Sequence, residues 1–402
     1  MDGKIDWLEL CFDMVSEYMP TACDTHGDSV RFLQIAVHAE TVANYFSSSR
    51  KPASVKAAEL FEKIGNYYDE CSVFGSVLNN YLQSLRIKID CFGEKHPDTA
   101  ILYDNIGVFY MKTGRFHEAI EWHNKAIPIF EEVLGKENTD TAIAYNNLGL
   151  ALLKQGDFDS ALEWYHKSKC IDEMILGHDH IDTAADYNNI GEAYYKKEDY
   201  TTALEYLAEA LRIKVKLLGE NSPNTAITFN NMGSVNWRLK KYDDALQYTR
   251  KALQIYRDTY GEYHAGTALE YGNIASILAD MGNYSEAREL FKRALRINKK
   301  VLGLRHPETA LDYCNLGTAY FDDGAAEQSL PYFILSYKLF MELSDSRHED
   351  IEKVIKYLKS VHKKMSIQQS FPAWLSSVSK QSIRELDTAT SQDIMDGELD
   401  EK

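Results

Sequence analysis

The chain has 402 residues, with 44 Lys and Arg against 61 Asp and Glu and a formal net charge of −17, a balance that argues against general nucleic-acid or anionic-membrane binding. Apolar residues make up 45%, enough for a continuous core, and only 8 prolines interrupt helices. No uncharged apolar run reaches the roughly 18 residues of a membrane span, and no basic n-region precedes an apolar stretch at Met1–Asp13, so neither membrane insertion nor a signal peptide is expected and the expected location is cytoplasmic.

In chain order, residues 1–50 read as an N-terminal helical cap of two helices, roughly 5–18 and 29–46, divided by Pro20 and a polar run from Asp24 to Asp28. Residues 51–344 read as seven repeats of 42 residues, with boundaries 51–92 (degenerate), 93–134, 135–176, 177–218, 219–260, 261–302 and 303–344. Three series mark the period. They are Gly93, Gly135, Gly177, Gly219, Gly261 and Gly303; Thr99, Thr141, Thr183, Thr225, Thr267 and Thr309; and Asn105, Asn147, Asn189, Asn231, Asn273 and Asn315. The last copy is blunted where Pro331 interrupts the helical pattern. Residues 345–365 read as a C-terminal capping helix, with Ile351, Val354, Ile355, Leu358 and Val361 on one face. The stretch 366–402 reads as a disordered acidic tail whose one apolar patch, Phe371 to Leu375, is expected to be loosely tethered, the alternative being that it docks back on the array or binds something else.

Each copy predicts a pair of amphipathic helices, about Asp140 to Gln155 and Phe158 to Met174 in the second, with Gly156 ending the first. Gly149 and Ala161 are the small residues at which the two helices must touch. The fold class is therefore all-α, a right-handed α-solenoid (superhelix) of about seven helix pairs with helical caps.

The box Tyr145-Asn146-Asn147-Leu148-Gly149, with Gly156-Asp157-Phe158, Ala161 and Tyr165, resembles a tetratricopeptide repeat. The 42-residue length and the link Leu302-Gly303-Leu304-Arg305-His306-Pro307-Glu308-Thr309-Ala310 look like those of kinesin light chains. The resemblance implies that the first helix of each pair lines a concave groove that receives an extended peptide. In the second repeat the lining positions would be Ile143, Asn146, Asn147, Leu150, Leu153 and Lys154. A fainter likeness, from Phe32 to Val42, is to the junction between a STAND-type NTPase and its repeat sensor, but no phosphate-binding G-x-x-x-x-G-K-[ST] loop occurs.

The Asn series is the sharpest candidate feature, because an amide both donates and accepts and can pair with a bound main chain of any sequence. The alternative is that each Asn fixes the angle between neighbouring repeats. Asn146, Asn188 and Asn230 double the series in the middle, whereas Asp104, Gly272 and Cys314 replace them at the ends. Lys112, Lys154, Lys196 and Arg238 form a basic stripe suited to an acidic segment, reversed by Asp280 and Asp322 in the next copies. Trp237 beside it is a candidate pocket wall. The candidate peptide-binding set is thus Asn105, Asn146, Asn147, Lys154, Asn188, Asn189, Lys196, Asn230, Asn231, Trp237, Arg238 and Asn273.

The six cysteines (Cys11, Cys23, Cys71, Cys91, Cys170 and Cys314) read as small buried residues of a reducing compartment. His96, His178, His180, His264 and His306 recur in the links and read as helix starts rather than metal ligands. Neither a nucleophile elbow nor a phosphate loop is present, so no enzyme activity, cofactor or metal is expected. The functional expectation is a non-catalytic scaffold or adaptor that binds a protein or peptide segment, acidic in character, in its groove. The alternatives are the sensor array of a STAND-type NTPase and a kinesin-light-chain-like cargo adaptor, although the heptad coiled coil of the latter is absent from this sequence. No motif specifies an oligomeric state.

Overall fold

The computed structural model describes residues 36, 38–44, 51–70, 73–343 and 348–395, and every regular element among them is an α-helix. The helices follow as α1 (Lys51–Glu70), α2 (Phe74–Phe92), α3 (Pro97–Lys112), α4 (Phe116–Val133), α5 (Thr139–Gln155), α6 (Phe158–Ile175) and α7 (Ile181–Lys196). They continue as α8 (Tyr200–Leu218), α9 (Pro223–Arg238), α10 (Tyr242–Tyr260), α11 (Ala265–Asp280), α12 (Tyr284–Val301), α13 (Pro307–Asp322) and α14 (Ala326–Leu343). Three more, α15 (His348–Lys364), α16 (Phe371–Val378) and α17 (Ile383–Met395), follow the array. The chain divides into two compact units, Met1–Lys197 and Glu198–Lys402. Within each unit a helix packs on the next, and odd-numbered helices from α3 also touch the next odd-numbered helix, α5 on α3 in one unit and α11 on α9 in the other. We call these odd-numbered elements the A helices and their successors the B helices.

The sequence marks explain where the A helices begin. His96, His180, His264 and His306 are N-caps whose Nδ1 accepts from the backbone N–H two residues on, at 3.2, 3.3, 3.1 and 3.2 Å. Each satisfies one donor that the first helical turn leaves without a partner. Asn138 does the same at α5, its Oδ1 accepting from Asp140 N at 2.8 Å. Ahead of each cap sits a glycine with φ between 82° and 92°, a region that L side chains avoid. The carbonyl of that glycine accepts from the Thr hydroxyl six residues later, as Gly135 does from Thr141 at 2.9 Å and Gly303 from Thr309 at 2.8 Å. These threonines are fully buried. Two of the three repeated series therefore form one local clamp.

A second glycine requirement lies inside the hairpin. A Cβ added at Gly149 would stand 2.8 Å from the Tyr165 ring, and one at Gly107 would stand 2.6 Å from the His123 ring. Ala161 and Tyr165 are completely buried against this seam. Side chains of the size of Leu148 and Tyr165 each contribute about 1.5–3 kcal/mol by leaving water.

Four expectations meet a different structure. Pro331 does not interrupt α14, which runs from Ala326 to Leu343. The backbone donor it removes would have faced the carbonyl of Glu327, an exposed residue that water can serve. The stretch 366–395, expected to be disordered, forms α16 and α17. Trp374, Ile383 and Leu386 are buried in the same cluster as Phe333, Leu339 and Leu358. Lys338 Nζ donates to the Ser379 and Gln381 carbonyls, and Asp387 accepts from Lys299 Nζ at 2.6 Å and from the Tyr313 hydroxyl. Three apolar anchors in a mostly polar segment suffice to hold it. Among the cysteines, Cys314 is buried, but Cys91 is half-exposed and Cys170 exposed. Leu153, expected on the groove face, is 4% exposed and belongs to the core. Of the N-terminal cap, the first expected helix lies outside the described residues; 36 and 38–44 of the second are helical, with Ala36, Ala39 and Ala43 buried.

Candidate functional site

Once the hairpin core has taken its share of each A helix, one face is left over. On α5 it carries Ile143, Asn146, Asn147, Leu150 and Lys154, spaced by three and four residues. Its first position is apolar and exposed in repeat after repeat. Ile101 and Ile143 in one unit are 39% and 55% exposed, and Ile227 and Leu269 in the other are 42% and 48% exposed. Singly such residues are ordinary, but a neighbouring pair at one register, found once in each unit, is what a contact surface presents. The sequence reading included Ile143 but did not follow the row. Its signal was available, as Ile or Leu recurs at five of six copies, with Ala185 the exception.

Four residues on from that row stand the amides, half-buried. Asn147 Nδ2 donates to Asp104 Oδ2 at 2.8 Å. Asn189 Nδ2 donates to Asn146 Oδ1 and Asn273 Nδ2 to Asn230 Oδ1, both at 2.9 Å. Each rung thus ties an A helix to the A helix before it, 43 residues earlier. The two readings of the series are therefore not exclusive. One amide hydrogen is spent on stitching, while the rung remains partly open to solvent. Asn105 and Asn231 occupy the same register half-buried, and Asn188 is 6% exposed. Asp104 plays a further part, its Oδ1 lying 2.6 Å from Nδ1 of the buried His123.

The basic stripe is less available than its charges suggest. Lys112 reaches Asp69 at 2.6 Å, and Lys154 reaches Glu192 at 3.3 Å. Arg238 donates from Nε to the Tyr200 hydroxyl at 3.1 Å and lies 3.6 Å from Glu198. Lys196 stands over the Tyr195 ring at 5.7 Å and has no carboxylate partner among the described residues. Exposed pairs of this kind contribute about 0.2–1 kcal/mol. Trp237 is half-buried, and its Nε1 donates to Asp280 Oδ2 at 2.8 Å, so the acid that reverses the stripe holds the indole edge-on.

Sequence reasoning missed a buried polar seam. Residues 14 apart, one on a B helix and one on the next A helix, meet in different pairs at successive joints. Asn298 Nδ2 donates to Asp312 Oδ2 at 2.7 Å, and Lys214 Nζ donates to Thr228 Oγ1 at 3.0 Å. Asp172 and Asp186 share a hydrogen bond, and burial pushes both carboxyls upward. Burial also raises Glu270 and Asp312 to about 8, and lowers Lys214 to about 8. Because the chemistry changes from joint to joint, no repeated letter announces it. No group of three or more metal-ligating side chains occurs among the described residues, and no described helix is long and apolar enough to cross a membrane.

Comparison with known proteins follows the same period. The family model described as tetratricopeptide repeat matches residues 78–132, 98–169, 140–216, 182–258, 224–275 and 266–342, with the last five starts 42 apart. Among solved structures, BtubC (BKLC) from P. vanneervenii is 22% identical, with a TM-score of 0.50, over 59% of this chain and 94% of its own. A putative kinesin light chain with nearly identical TPR-like repeats from Podosopora anserina is 20% identical, with a TM-score of 0.44, over 51% of this chain and 97% of its own. The apo form of RapI is 17% identical, with a TM-score of 0.46, over 67% of this chain and 99% of its own. No curated protein matches the sequence.

Proposed function

We propose that this chain, which belongs to the tetratricopeptide repeat family and carries repeats of the kinesin-light-chain kind, is a non-catalytic scaffold that docks a segment of a partner protein along its A-helix face. The observation that carries the reading is the exposed apolar pair beside half-buried amides in each unit, Ile101 and Ile143 in one and Ile227 and Leu269 in the other. Apolar side chains give a bound segment area to cover, and amide carbonyls, with two lone pairs each, can accept from its main chain. The proposed contact set is Asn105, Asn146, Asn147, Asn188, Asn189, Asn230, Asn231 and Asn273 with Lys154, Lys196, Arg238 and Trp237. Lys196, the least paired of the cations, would steer an acidic segment more than hold it.

The test is capture of partners by the full chain and by its Ile143→Glu and Leu269→Glu variants. Both positions are exposed, so melting should not change, while the captured set should be lost. Retention of every partner by both variants would remove the A-helix face as the docking surface. Asn189→Ala should weaken a bound segment by about 1–3 kcal/mol and lower the melting temperature by less. Collapse of melting with intact binding would make the rung purely structural.

A further inference from the structure

The amide ladder loses a rung at one place. Asn146 and Asn230 each accept from the amide 43 residues later, but their counterpart before Asn315 is Gly272. Asn315 consequently has no hydrogen-bond partner among the described residues. A Cβ built at Gly272 would meet nothing within 4 Å. In place of the missing side chain is a cavity of about 390 Å³ between α11 and α13, floored by the end of α12.

The lining of this notch is unbalanced. Leu269 and Leu311 supply apolar walls. The polar groups are acceptors in excess. Asn298, on the floor, is 5% exposed; its Nδ2 is used on Asp312, and its Oδ1 has no partner. Asn273 has spent Nδ2 on Asn230, which leaves its carbonyl. Glu308 adds a carboxylate to the lining, and neither Lys nor Arg contributes to it. Burial pushes Asp312 up to about 8, so at neutral pH the charge of the lining rests on Glu308. Asp280 and Asp322 extend the negative character along the same helices.

We propose that the Gly272 notch is a specificity pocket for an arginine side chain of the docked segment. The apolar walls would cover its methylene stem. The guanidinium would offer its donors to Asn298 Oδ1, the Asn273 and Asn315 carbonyls, and Glu308. A planar fork of five donors suits several scattered acceptors better than a compact ammonium does. This inference rests on the A-helix face being the docking face, and its test separates the two.

Random octapeptides displayed on phage are selected on the full chain, on Ile227→Glu, which is exposed and outside the notch, and on Gly272→Asn. The last substitution fills the notch and returns a partner to Asn315. Peptides selected by the wild type should carry an arginine at one fixed position. Replacing it with citrulline, which keeps the shape and removes the charge, should weaken binding roughly tenfold or more. The same replacement should have no effect on binding to Gly272→Asn, and the citrulline arm needs no variant to fold. Binders that Ile227→Glu abolishes but that show no arginine preference would overturn the notch and leave the docking face standing. Binders indifferent to Ile227→Glu, or no binders at all, would overturn both.

Discussion

The stretch α3 to α7 and the stretch α9 to α13 share one backbone register and present opposite chemistry. In the first, every A-helix rung that reaches back finds a side chain, and the basic stripe is balanced by Asp69 and Glu192. In the second, Gly272 leaves a rung open, and the stripe changes from Arg238 on α9 to Asp280 and Asp322 on α11 and α13. The Gly–Thr clamp is the same in both, and the small residue at the hairpin contact is Gly throughout except for Ala275 on α11. What builds the repeat and what gives it a binding character are therefore different residues on the same helix, and each can be altered alone.

The sharpest way to break the comparison uses two glycines of different standing. Gly149→Val places new atoms on a Tyr165 ring that a bare Cβ already approaches to 2.8 Å, and thermal or denaturant unfolding should show a loss of about 3 kcal/mol or more. Gly272→Ala, with open space around it, should gain about 0.5–1 kcal/mol, since alanine is the better helix former. Equal effects at the two sites would mean that the seam and the notch are not distinct.

Between these in size lies a pH effect. Burial raises Glu270 to about 8, well above the ordinary carboxylate value it has in the unfolded chain. The folded state therefore holds a proton that the unfolded state gives up. Stability from this group is complete below about pH 4.5 and is lost as the pH climbs through about 8. Glu270→Gln should flatten that slope and raise stability at pH 9 by about 1–3 kcal/mol, measured by denaturant titration across pH. A variant less stable than wild type at pH 9 would contradict the protonated reading. Smallest of all, Lys154→Ala should cost no more than about 1 kcal/mol, because its partner Glu192 is 3.3 Å away and the lysine is exposed.

The fold was legible because its requirements repeat. A glycine at positive φ, a buried threonine and a small residue at the helix contact recur every 42 residues, and each answers a fixed backbone need. The amide series was legible for the same reason, but its division between stitching and recognition was not. Only coordinates show that Asn189 reaches Asn146. The substitution of Gly272 was visible as a letter, yet the sequence pointed away from it toward the fuller middle repeats. A missing side chain becomes a cavity only when its neighbours fail to close over it. Helices α16 and α17 were hidden because three anchoring residues are diluted in a thirty-residue segment, 366–395, that is mostly polar, so composition argued for disorder where Trp374, Ile383 and Leu386 are buried.

The unlike pairs along the polar seam bear on how near-identical hairpins avoid joining in the wrong order. Sliding the chain by one copy would bring Asp172 against Thr228, and sliding it by two would set Lys214 where Asn298 belongs, so a mismatched charge would be sealed away from water. Each joint thus carries its own key. A chain built from interchangeable parts is protected from shuffled or exchanged assembly by the few places where its parts are not interchangeable.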